Sequence, residues 1–201
     1  MIPVSIPRPI TKRWLPAVTI LLLSGCASTP MRVYVNPQAD MTLYKKIAVV
    51  PFANLSGDPY AGARVTRAFT TELVIADRFQ LVDPAVLMGE LGRTGAFPDA
   101  QGQIDAGKLK DAATRLEATA FIRGGVSEYA MRHQNTEDFP VVSFDVEMVD
   151  VATNTTIWRI SVTESGKGRV PVVGGSSERS FGAVTQAACE RAVAELKKRI
   201  L

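Results

Sequence analysis

The feature that most narrows the fold is a pair of alternating stretches in the second half of the chain. Val142, Phe144, Val146 and Met148 alternate with Ser143, Asp145 and Glu147, and Trp158, Ile160 and Val162 alternate with Arg159, Ser161 and Thr163. Successive side chains on a strand point to opposite faces, so a period of two means a half-buried strand with one apolar and one polar face. Between the two stretches, residues 150–155 are rich in Asp, Asn and Thr and read as the turn of an antiparallel hairpin. The apolar face has to be covered, and the last stretch of the chain carries a matching stripe. From about Arg179 onward, Phe181, Val184, Ala188, Ala192 and Leu196 step by three and four, with Lys197, Lys198 and Arg199 favourably placed at the negative end of the helix dipole. Trp158 is therefore expected in the core, near Phe144 and Val146 and against Val184 or Ala188.

The first half has a different rhythm. Ile47-Ala48-Val49-Val50-Pro51-Phe52 is a short apolar run rich in β-branched residues, which suits a strand buried on both faces. Asp58-Pro59 opens a helix from about Tyr60 to Ile75; Phe79–Val82 reads as a second strand; Asp83-Pro84 opens a helix that Gly92 ends. Residues 93–103 read as loop, and Ile104, Leu109, Ala112, Ala113 and Leu116 mark another helix. A strand over Ala118–Glu128 follows, in which Gly124-Gly125 signals a bulge or a close backbone approach. Residues 129–139 and 164–178 read as loops. The order is strand, helix, strand, two helices, three strands, helix. Early strand–helix units imply parallel pairing and the late hairpin implies antiparallel pairing. The expected fold class is α/β: one domain with a mixed sheet covered by helices.

The N-terminus is of another kind. Arg8, Lys12 and Arg13 precede a mostly apolar stretch, residues 14–23, which is too short for a permanent membrane span of about 20 residues. Positive charge before a short apolar core is the pattern read by the secretion machinery. Leu23-Ser24-Gly25-Cys26 then resembles the lipobox of bacterial lipoproteins, with Leu23, Ser24 and Gly25 as the signal-peptidase recognition residues and Cys26 as the acylated residue. The expected layout is a signal peptide over 1–25, a flexible tether over 26–43 with room for a short extended piece at Met31 to Val35, and a periplasmic domain over 44–201. Several acyl chains, each buried CH₂ worth about 0.8 kcal/mol, hold a protein to a membrane durably. Ala27, in place of the Asp that often retains lipoproteins in the inner membrane, points by resemblance to the inner leaflet of the outer membrane.

The whole chain carries a net charge of +3, and Arg8, Lys12 and Arg13 account for all of it, so the remainder is neutral. A nucleic-acid partner is thereby disfavoured, since phosphate neutralisation needs a basic patch. With Cys26 committed to lipid, Cys189 has no partner for an intrachain disulfide and reads as a small core residue. The single histidine, His133, lies in a polar stretch and cannot build a His-rich metal site. Gly57-Asp58-Pro59 sits between a strand and a helix, where anions can bind, but one glycine beside an Asp reads as a turn and cap. Asp145 and Glu147 share a strand face; their clean alternation reads as a solvated face, with Arg159 on the next strand as an ion-pair candidate. No catalytic motif is present, so no enzyme activity, metal or cofactor is expected beyond the covalent lipid.

Two stretches carry a family likeness. Residues 46–57, from Lys46-Ile47-Ala48-Val49-Val50-Pro51-Phe52 to Gly57, followed by a helix and Arg78-Phe79-Gln80-Leu81-Val82-Asp83, resemble the opening of a lipoprotein superfamily. That group includes CsgG, the penicillin-binding-protein activator LpoB and the N-terminal domain of TolB. Residues 146–158, ending at Trp158, resemble the group's Asp-x-x-Thr-Gly hairpin, with Asn154 where glycine is commoner. The resemblance implies a protein-interaction or accessory module in cell-envelope assembly. It also admits a second reading, a ring-forming subunit of a CsgG-like secretion or flagellar-type assembly, and with it a homo-oligomer. A membrane pore is disfavoured, because a spanning strand needs about 9–11 residues and neither 129–139 nor 164–178 holds two. Partner identity and the surface that binds it are not legible. Replacing the lipid-acceptor thiol, Cys26→Ala, is expected to leave the domain folded and to move it from the membrane fraction to the soluble fraction. Pelleting of the variant with outer membranes after a high-salt wash would contradict this.

Overall fold

Asp83 shows how the sequence begins an element here: its carboxylate accepts from the backbone N–H of Ala85 at 2.8 Å and of Val86, and Pro84 occupies the first helical turn. Asp105 caps the next helix through Lys108 N–H at 3.0 Å. The computed structural model describes residues 31–99, 102–166 and 180–200. Its elements are β1 (Arg32–Val35), a 3-10 turn (Met41–Leu43), β2 (Lys46–Val49), β3 (Ala53–Asn54), α1 (Ala61–Ala76), β4 (Gln80–Leu81), α2 (Pro84–Arg93), α3 (Ala106–Arg115), β5 (Ala120–Gln134), β6 (Glu137–Asp150), β7 (Thr156–Ser165) and α4 (Phe181–Ile200). The leader, Leu23, Ser24, Gly25 and Cys26 lie outside the described residues, as do residues 167–178 of the expected second loop.

The sheet order is β1-β7-β6-β5-β2-β4, with β3 also pairing β5. β2 pairs parallel with β4 and β5, whereas β5–β6, β6–β7 and β7–β1 are antiparallel. The chain is thus a single α/β domain on a mixed sheet, as the order of its elements implied. One face is packed under α1 and α4, in a core that runs from Ile47 and Phe69 through Phe144 and Trp158 to Leu196. The other face carries a smaller core, Ala48, Val50, Phe121 and Val149 against Leu87 and Leu91 of α2 and Leu109 of α3. The β6–β7 turn depends on Asp150, whose carboxylate accepts from Thr153 N–H at 2.6 Å, and on Asn154, which adopts φ 56°. Asn tolerates that left-handed conformation, so it stands in for the commoner glycine.

Three expectations need correcting. The tether does not extend to residue 43: β1 is already in the sheet, Arg32 facing Ser161 and Val35 facing Trp158. Asp40 then caps the 3-10 turn, and Tyr44 is buried with its hydroxyl hydrogen-bonded to Asp150; burial first, then that bond, push its pKa up to about 12. Polar residues between Val35 and Lys46 masked this seating, although Val33 and Val35 pack on the core. Residues 129–139 are not a loop either. β5 and β6 continue as a paired ribbon to Gln134 and Glu137, closed by Asn135 (φ 59°) and Thr136. Two-residue hairpin loops require positive φ, and Asn meets that need without glycine. Lastly, Trp158 is fully buried in one core with Val184, Ala188, Phe144 and Val146, as expected, but the residue directly opposite it on β6 is Met148.

The burial of Trp158 has a measurable size. Trp158→Ala is expected to lower unfolding stability by about 3–5 kcal/mol, read from the urea midpoint. In protein lacking residues 1–25, Trp158 is the one remaining tryptophan, and its emission is expected blue-shifted and poorly quenched by iodide. Red-shifted, readily quenched emission from the folded protein would place it at the surface.

Candidate interaction surface on the uncovered half of the sheet

The two helix layers differ in extent. α1 and α4 span the sheet from β5 to β7, while α2 and α3 pack over β2 and its neighbours, in a core where β6 supplies Val149 and β7 nothing. Beyond that core no helix among the described residues covers the sheet, and its side chains turn polar. Strand alternation puts Arg123 of β5, Glu147 of β6, Arg159 of β7 and Tyr34 of β1 in one transverse row, since each faces the next in register. The adjacent row is Gly125, Asp145, Ser161 and Arg32. The same strands point Val146, Ile160 and Val33 into the opposite core, which is why these polar residues have no freedom to turn inward.

Within the rows most charges are matched. Arg123 Nε donates to Glu147 Oε1 at 2.6 Å, and its guanidinium lies 5.9 Å from the centre of the Phe121 ring. The other carboxylate oxygen of Glu147 accepts from Thr156 Oγ1 at 3.0 Å. Ser161 Oγ donates to Asp145, and Ser143 and Thr163 share a hydrogen bond of 2.9 Å. The exceptions are Arg159 and Arg32, both exposed and both without a carboxylate partner among the described residues; Arg159 faces a Glu147 whose oxygens are both engaged. The expected pairing of Arg159 with Asp145 or Glu147 is therefore replaced by Arg123–Glu147. Arg123 went unnoticed in the sequence because it sits inside an apolar run; its position two before Gly125 and two after Phe121 was the available signal.

Where the α2–α3 layer stops, a cleft of about 330 Å³ opens. One wall is apolar, with Val50, Ala53, Leu55, Ile104 and Leu109; the other holds Arg123, Asp145, Glu147 and Arg159. Leu55, 56% exposed, forms part of its rim. The size and mixed lining suit an amphipathic side chain or a small molecule. Gly124 and Gly125 let β5 pass close beneath it. A Cβ on Gly124 would stand 2.5 Å from the carbonyl oxygen of Asp145 and 3.1 Å from the Phe52 ring, the close approach signalled by the Gly pair.

The remaining singled-out residues lie elsewhere. His133 sits on the β5–β6 ribbon, its Nδ1 2.8 Å from Asp138, with both side chains exposed. Asp58 accepts from Tyr60 N–H at 2.8 Å and its carbonyl accepts from Asn54 Nδ2, a turn that leads into α1. Cys189 is a free thiol buried on α4; burial and the charge of Glu72 push its pKa upward. Among the described residues no group of His, Cys, Asp and Glu is placed to hold a metal, and no helix is long and apolar enough to cross a membrane.

Comparison with known proteins places the fold. A helix-covered mixed sheet of this kind is shared with a PelC dodecamer variant from Paraburkholderia phytofirmans, at 18% identity and a TM-score of 0.57, covering 83% of this chain and 98% of that one. It is also shared with lipoprotein GNA1162 from Neisseria meningitidis, at 17% identity and a TM-score of 0.51, covering 78% of this chain and 97% of that one. The LpoB C-terminal domain from Salmonella enterica is similar at a TM-score of 0.46, with 17% identity over 60% of this chain and 82% of that one. No family profile and no curated protein matches the sequence. At such identities the likeness is one of fold.

The cleft floor gives a test of its construction. Gly124→Ala is expected to destabilise the domain by about 1–3 kcal/mol through the clash with the Asp145 carbonyl. Gly89→Ala, on α2 with open space around the added methyl, is expected to be neutral or stabilising by up to about 1 kcal/mol. Equal urea midpoints for the two variants would contradict the close approach.

Proposed function

We propose that this chain is a lipoprotein of the CsgG, LpoB and TolB-like group, held through Cys26 to the periplasmic face of the outer membrane. There it acts as a protein-interaction and accessory module in cell-envelope assembly. The observation that carries the reading is the sheet face that no described helix covers, where Arg159, without a carboxylate partner among the described residues, stands beside a half-apolar cleft. Arginine in a desolvated pocket is a frequent centre of binding energy at interfaces, because its planar fork meets a carboxylate in two parallel hydrogen bonds. Supporting it are the order of charge, apolar core, small residues and cysteine in the leader, and the fold shared with a protein titled a lipoprotein. No catalytic role or cofactor is part of this proposal, apart from the covalent lipid.

A second reading, a ring-forming subunit, is favoured by one observation: the fold is shared with a protein solved as a dodecamer. The two readings separate in one experiment. With a photo-crosslinking residue at position 159, irradiation of intact cells is expected to yield an adduct with a different envelope protein, which a crosslinker at the exposed Thr71 of α1 does not form. Adducts at integral multiples of the chain mass would favour the ring instead. Absence of both, or equal yields at 71 and 159, would remove this face as the interface.

A further inference from the structure

We infer that the tip of the β5–β6 ribbon touches the lipid headgroups of the same leaflet that holds Cys26, giving the domain a second, protein-borne membrane contact. The inference rests on the anchoring proposed above and on chain geometry. β1 and β6 run in the same direction, and Arg32 lies level with Asp145 through Ser161. The chain leading back from Arg32 therefore leaves the sheet toward the end at which the ribbon turns. Five residues lie between Cys26 and Arg32, and even fully extended the six steps from one to the other reach no more than about 20–22 Å. Along β6 the ribbon continues eight residues beyond Asp145 to Glu137, about 26 Å, before the turn. The lipid-bearing residue cannot be carried as far from the sheet as the ribbon tip. With the strands upright on the membrane the tip enters the headgroup layer, and with the sheet tilted onto one of its faces the ribbon lies along it. Presenting the opposite end would require the same residues to reverse and then run about 17 Å to the level of Asp150, which the reversal leaves too few to do.

The ribbon's make-up fits a polar interface and not a hydrocarbon core. Among the described residues no third strand pairs with β6 beyond Val141 or with β5 beyond Val126. Two strands alone are marginal in water. Residues 131–138 are all exposed, among them Met131, Arg132, His133, Glu137 and Asp138. Both signs of charge are present, Arg132 paired with Glu128 and His133 with Asp138. Such a tip meets the paired charges of phospholipid headgroups and is barred by its own charge from the acyl interior.

The test uses full-length lipidated protein in vesicles of phosphatidylethanolamine and phosphatidylglycerol. Thr136→Cys at the ribbon tip and Thr153→Cys at the opposite end each receive a nitrobenzoxadiazole fluorophore; Cys189 is buried and Cys26 is acylated. Nitroxide attached to lipid headgroups is expected to quench the label at 136 several-fold more than the label at 153. Equal quenching at the two sites, or none at 136, in protein that floats with the vesicles overturns the ribbon contact and leaves the anchor standing. Stronger quenching of the 136 label by nitroxides deep in the acyl chains overturns the headgroup depth. Protein that fails to float overturns the anchoring reading, and this inference with it.

Discussion

The structure depends on one constraint, the burial of the apolar face of β6 and β7 beneath α4. Trp158, Ile160 and Val162 on one strand and Phe144, Val146 and Met148 on the other leave no alternative register, since a slip of one residue would expose them all and bury Asp145, Glu147 and Arg159. With that register set, β1 can add at one edge and β5 at the other, and α1 can lie beside α4 over the same core. Hydrophobic burial scales with the area removed from water, so the fully buried Trp158, Phe144 and Phe69 are the main contributors on this face.

The same constraint produces the candidate surface. Alternation that buries one face necessarily lines the other with polar residues, and only the β2 side of that other face has a helix layer. The strand ends that reach under α2 and α3 carry Phe121 and Val149; two residues further along, the same face carries Arg123 and Glu147. The cleft lies at this change of lining. Arg123 and Glu147 hold each other, so Arg159 has no carboxylate partner among the described residues.

The membrane attachment proposed through Cys26 would add a second geometric condition. Because β1 begins at Arg32, the stretch between that residue and the sheet is a few residues and not the long tether that composition suggested. A connection that short would couple the orientation of the domain to the membrane. For an accessory module such orientation lowers the entropy lost when a partner in the same envelope layer is met.

Much of this was readable in the sequence, because it follows from local periodicity. The hairpin of β6 and β7, the capped helix after Asp83, the final helix and the buried Trp158 all announce themselves through spacing of apolar residues and through turn and cap chemistry. What periodicity does not encode is pairing between segments far apart. The ribbon over 131–138 is exposed on both faces and closed by Asn135-Thr136 without a glycine, so only its continuous pairing, Tyr129 to Val142 and onward to Gln134 with Glu137, makes it strand. β1 is four residues long and gains its stability from β7, more than 120 residues away. The choice of Arg123 over Arg159 as the partner of Glu147 was likewise decided in three dimensions. Both face Glu147 across the sheet, and side-chain geometry that no linear pattern contains brings one of them to 2.6 Å.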